Sequence, residues 1–168
     1  MTKSLKIAAI AAAALAAAPA IAAPVGVTGA PPSASARIIK PLTLSATGSL
    51  DFGTIVMNNV TADRTVTLND DTSITCDSEL VCDANGTVPT YTVQGTQGQT
   101  VNIIKNASTL SGSNGGSLTL TPVGAASVLL TNSGSPGVDF TIGGSIVIGA
   151  ATVDGVYTGT VDVQVDYN

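Results

Sequence analysis

Histidine and tryptophan are absent from this 168-residue chain, cysteine occurs twice, and aromatics make up only 3% of it. Without histidine, a Ser-His-Asp triad and a His-ligated metal are both excluded. No Gly-rich phosphate loop with a following lysine is present. A core with so few aromatics must be built from Val, Ile and Leu. Basic residues are scarce too. Beyond residue 22 they are Arg37, Lys40, Arg64 and Lys105, four against eleven acidic residues, for a formal net charge of −7. That balance argues against nucleic acid or an anionic membrane surface as partner. After the N-terminal region, no segment has a helical period.

What is present begins with an export signal. Met1-Thr2-Lys3-Ser4-Leu5-Lys6 leads into an Ala-rich apolar run, and Ala20-Ile21-Ala22 is a small-x-small cleavage pattern. Residues 1–22 are therefore expected to be a cleaved signal peptide, with a retained membrane anchor as the alternative. No later stretch approaches spanning length. Residues 23–35 are rich in Ala, Pro, Gly and Ser and read as an extended, mobile arm. Val25 and Val27 alternate with small residues, as do Ala34, Ala36 and Ile38, but Pro31-Pro32 blocks continuous pairing. A plain disordered terminus fits the same composition.

Residues 36–168 read as one β domain. Apolar residues alternate in short runs: Leu42 and Leu44, Val66 and Leu68, Tyr91 and Val93, Val101 and Ile103, Leu118 and Leu120, Val138 and Phe140. Gly and Asn clusters separate them. Gly53 suggests a bulge or a close backbone approach. Pro89 is expected at a sheet edge, and Gly143-Gly144 is expected to turn the chain between two strands. Many short strands with regular turn signals point to an all-β sandwich or barrel, and an immunoglobulin-like β-sandwich with Greek-key connections is expected.

Cys76 and Cys82, in an exported chain, are expected to form a disulfide; a metal pair and free thiols are the alternatives. Their spacing excludes a CxxC redox pair, and two thiolates without histidine make a poor zinc site. Asp70, Asp71, Asp77, Glu79 and Asp83 cluster in sequence. Asp83-Ala84-Asn85-Gly86 has a faint likeness to a calcium loop but lacks its closing acid, so these read as turn residues.

The stretch from Asp154 to Asn168 carries the clearest pattern. Tyr157, Gly159, Val161, Val163, Val165 and Tyr167 fall on one side of an extended chain, with Thr158, Thr160, Asp162, Gln164 and Asp166 on the other. This is expected to be one half-buried strand, with Gly155 permitting the turn before it. With Asn168 last, its far edge is expected to be covered by an earlier segment, another molecule or water.

This C-terminus resembles that of bacterial pilins assembled by the chaperone–usher route. Tyr167 is penultimate, Gly155 is fourteenth from the end, and the residues between alternate. The stretches 140–149 and 155–160, and Leu50-Asp51-Phe52-Gly53-Thr54-Ile55-Val56, resemble an uncharacterised bacterial family of secreted, pilin-like domains. The likeness covers residue 36 onward in outline and is specific only in those blocks. It implies an immunoglobulin-like domain lacking its last strand. A periplasmic chaperone would first lend a strand at the edge formed by Gly155, Tyr157, Val161, Val163, Val165 and Tyr167. After delivery through an outer-membrane usher, the arm of a like subunit would replace it. The chain departs from the pilin pattern in its mid-chain cysteines and its Pro-interrupted arm.

The expectation is thus a non-enzymatic structural subunit of a bacterial surface fibre, without cofactor or metal, exported to the periplasm and then to the cell surface. The alternative is a self-complete secreted or surface-displayed β-sandwich that binds an unidentified ligand. A carboxylate-based glycosidase is a third reading, with no cleft signalled in the sequence.

Overall fold

A computed structural model describes residues 22–84 and 86–168. The expected signal peptide therefore lies, save for Ala22, outside the described residues. The chain divides into two units, Met1–Ala36 and Arg37–Asn168. In the first, residues 22–36 carry no strand. All regular structure among the described residues is β and belongs to the second. No helix there is long and apolar enough to cross a membrane.

Thirteen strands follow in order: β1 (Thr43–Thr47), β2 (Ile55–Met57), β3 (Arg64–Leu68), β4 (Ile74–Cys76), β5 (Leu80–Cys82), β6 (Thr90–Gln94), β7 (Thr100–Asn106), β8 (Ser108–Gly112), β9 (Ser117–Gly124), β10 (Ser127–Leu129), β11 (Val138–Ile148), β12 (Tyr157–Thr158) and β13 (Asp162–Tyr167). Every ladder is antiparallel. The largest sheet has eight strands and is strongly curled into a half-barrel. Its path runs β1-β6-β11-β9-β8-β12, with β3 on β11 and β4 on β3. A second sheet has the order β10-β7-β13, and among the described residues β2 pairs with β5 alone.

The inward faces follow the period-two pattern. Val66, Leu68, Val93, Val101, Leu120 and Ile142 are all fully or almost fully buried. Val93 of β6, Val101 of β7 and Leu130 form one cluster, so side chains of the two larger sheets share a core. Phe52, Leu68, Leu118, Leu120, Ile146 and Ile148 belong to another, inside the curl.

Three sequence expectations change. Gly143-Gly144 makes no turn: β11 runs unbroken for 11 residues. It pairs with β6 over Val138–Thr141 and with β3 over Gly144–Ile148, so the strand changes neighbours at the glycines. A Cβ on Gly143 would collide with the Leu68 carbonyl, and one on Gly144 would meet Leu120 Cδ1 at 2.7 Å. The missing side chains let backbone and core close in where the sheet curls. Pro89 is not at an edge either. β6 lies between β1 and β11, and Pro89 stands one residue ahead of the ladder, where no amide is needed. The third change concerns the C-terminal ribbon.

Candidate functional site

The stretch from Tyr157 to Tyr167 is two strands in two sheets. Tyr157 and Thr158 form β12, which pairs with Gly112 and Ser111 of β8 at the rim of the half-barrel. The chain then crosses over Gly159–Val161 and enters the three-stranded sheet as β13 on β7. Gly159 makes the crossing possible, because a Cβ there would meet the Thr109 carbonyl oxygen at 2.5 Å and Leu110 Cδ2 at 2.8 Å. Alternation alone does not register such a step, since the inward residues stay inward on both sides of it. Tyr157 and Val161 pack on the cluster inside the curl, and Val163, Val165 and Tyr167 on the clusters shared between sheets.

Gly155, in the left-handed region at φ 151°, sits in the turn ahead of β12. A Cβ there would meet Ser113 Oγ at 2.9 Å. That hydroxyl accepts a bond from the Val156 amide at 3.1 Å, and the Ser113 amide donates to the Val156 carbonyl at 2.9 Å. Tyr157 Oη donates to the Val153 carbonyl at 2.7 Å. The sequence reading of Gly155 as the turn residue thus agrees with its conformation.

β13 is an edge strand. On one side it pairs with β7; among the described residues no strand pairs with its other side. The register identifies which groups are free. The Asn168 amide donates to the Thr100 carbonyl, and the Ile103 amide donates to the Ala126 carbonyl on the far side of β7. Antiparallel ladders alternate, so Asp162, Gln164 and Asp166 bond to β7 while the amides and carbonyls of Val163, Val165 and Tyr167 point away from it. Those are three of the residues singled out from the sequence.

β1 is likewise an edge: among the described residues it pairs only with β6. The two edges lie on one side of the domain. Leu42 and Leu44 at β1 pack on the same cluster as Val165 and Tyr167. Tyr167 Oη donates to the Lys40 carbonyl at 2.6 Å and accepts from the Thr96 amide at 2.9 Å.

Where these edge strands end, a cleft of about 1080 Å³ opens. One wall is the segment from Ala46 to Met57, the other the segment from Thr152 to Val161. Its floor includes Leu118, Leu120, Ile146 and Ile148, residues of the core itself. Tyr91 lies there too, stacked on Phe140 with ring centroids 5.4 Å apart, and burial pushes its hydroxyl pKa up. The cleft is the unclosed seam of the half-barrel, and no feature of local sequence marked it.

Cys76 and Cys82 form the expected disulfide, joining β4 to β5. β5 carries β2, whose Ile55, Val56 and Met57 line the cleft. The clustered acids are spread over separate structural tasks. Asp71 accepts from the Ser73 hydroxyl and amide, which lowers its pKa. Asp77 accepts from the Thr65 amide, and Asp83 from the Thr54 amide. Glu79 forms a two-pronged pair with Arg64, at 2.6 and 3.2 Å, and accepts from the Thr61 amide. Asn85, in the calcium-like stretch, lies outside the described residues. Among the described residues no three His, Cys, Asp or Glu side chains converge as a metal site.

Fold and cleft define a class: an all-antiparallel β domain with two strand edges unpaired among the described residues and an open cleft beyond the ends of those strands. Over residues 42–167 the chain matches the family described as Domain of unknown function (DUF4402), and it belongs to that family. No curated protein and no solved structure matches the chain.

Proposed function

We propose that this chain is a non-enzymatic structural subunit of a bacterial surface fibre, assembled by adding a foreign β-strand at the seam beside β13. The observation that carries this reading is the row of outward backbone groups at Val163, Val165 and Tyr167, in a strand that follows directly on Val161 in the wall of a cleft floored by core leucines and isoleucines. Backbone edges recruit strands through main-chain hydrogen bonds, and pockets for alternate side chains give selectivity. A small ligand would use the apolar floor but leave those amides unanswered. Left uncovered, the edge is an aggregation hazard, which gives a chaperone its task.

In this reading the domain is an immunoglobulin-like sandwich short of one strand, in which the sheets β1-β6-β11 and β10-β7-β13 are the two layers. The chain is exported, meets a periplasmic chaperone and an outer-membrane usher, and ends at the cell surface. The occupant in the fibre is the N-terminal stretch of a like subunit, with Ala34, Ala36 and Ile38 as its alternating face. A self-complete secreted binding module is the competing reading, and the bond from Tyr167 to Lys40, which ties the two edges within one chain, favours it.

Sedimentation of the chain from Ala23 onward, beside a version beginning at Ile39, separates the two. The fibre reading expects polymers from the first and none from the second. Polymers of undiminished length from the shortened chain overturn arm donation. A durable monomer from both supports the self-complete module.

A further inference from the structure

Strand addition along a plain backbone edge has a register problem. A slip of two residues keeps every side chain on its proper face, so the ladder by itself does not choose among positions. The seam has a structural answer at one end. Tyr167 Oη donates to the Lys40 carbonyl at 2.6 Å and accepts the Thr96 amide at 2.9 Å, while the Lys40 amide donates to Thr96 Oγ1 at 2.7 Å. These three bonds form a closed knot between the end of β13 and the residues leading into β1. The knot has no slack. The Tyr167 hydroxyl lies over Gly95, where an added Cβ would meet Oη at 2.5 Å and both Leu42 Cδ2 and Leu130 Cδ1 at 2.8 Å. At the opposite end, past Ala46 and Val161, lies the cleft.

We infer that the Tyr167–Lys40–Thr96 knot is a stop that sets the register of the strand entering the seam, making Tyr167 a positioning residue for the occupant. This rests on the strand-addition reading above. The occupant enters from the cleft end and advances along Val163 and Val165 until it abuts the knot. The polar atoms of the stop are satisfied before the occupant arrives, so the stop gains nothing by yielding.

The test uses two synthetic peptides of residues 23–38, one carrying a photoreactive residue in place of Val25 and the other in place of Ile38. Cross-links to the chain from Arg37 onward are mapped by mass spectrometry. On the unaltered domain each peptide is expected to mark one window about two residues wide. On Tyr167→Phe, which removes both bonds of the Tyr167 hydroxyl, and on Thr96→Val, which removes the Lys40 amide's bond, the marks are expected to spread along β13 in two-residue steps. Amide exchange of the β7 residues confirms that each variant keeps its fold. A single unchanged window in both variants overturns the stop while leaving strand addition standing. Absence of any cross-link to the unaltered domain overturns both.

Discussion

The hydroxyl of Tyr167 donates to the backbone carbonyl of Lys40 across 127 residues of sequence, at 2.6 Å. It ties the end of β13 to the residues leading into β1. Replacing Tyr167 by Phe keeps the ring but removes a donor and orphans the Thr96 amide. The expected loss is about 1–3 kcal/mol, read from the midpoint of urea unfolding. A variant as stable as the parent would mean that water replaces both bonds without cost.

The register of β13 predicts a pattern in hydrogen exchange. The amides of Gln164 and Asp166 bond to β7 and should exchange slowly. Those of Val163 and Val165 face outward and should exchange fast. An added strand should slow the second pair and leave the first as it was. Residue-resolved NMR on the domain with and without a strand peptide reads this directly. Uniform protection in the free domain would show that the edge is already covered.

The disulfide closes a short loop that carries Glu79 and anchors β5, and with it the β2 wall of the cleft. Loop-closure entropy puts its contribution at about 2 kcal/mol. A Cys76→Ser, Cys82→Ser double variant should unfold at correspondingly lower urea. Amide exchange at Val56 and Met57 should quicken more than exchange at Val101 and Ile103. Equal acceleration everywhere would show that the bond acts on the whole domain and not on the wall.

Glu79 gives a pH dependence. Its hydrogen bonds from Arg64, and then from the Thr61 amide, hold its carboxyl pKa below the usual range. A folded pKa below the unfolded one means that the stabilisation is fully present above the unfolded value. It is lost as pH falls through the folded value. Stability should therefore decline below about pH 4, and Glu79→Gln should flatten part of that decline. Unfolding midpoints at a series of acidic pH values, for parent and variant, measure the difference. Identical slopes would assign the acid sensitivity to other carboxylates.

Leu120 is 1% exposed and forms part of the cleft floor. Truncation to Ala should cost about 2–5 kcal/mol in the same unfolding assay. A smaller loss would show that the neighbouring Ile146 and Leu118 collapse into the space, and the cleft would then be shallower than its present walls imply.

The sequence by itself determined the β class, the inward faces of β3, β6, β7 and β9, the expectation that Cys76 pairs with Cys82, and the prominence of the Tyr157–Tyr167 ribbon. These follow from period-two burial and from two cysteines six positions apart, which are properties of local chain and composition. Only the tertiary structure decided that the ribbon crosses between sheets at Gly159–Val161, that β11 runs straight through Gly143-Gly144, and that β1 and β13 leave their edges open on one side. Strand partners are chosen by backbone hydrogen bonds between residues far apart in the chain, and every backbone offers the same donor and acceptor. Side-chain alternation records which face is buried, and it carries no mark of which neighbour lies alongside.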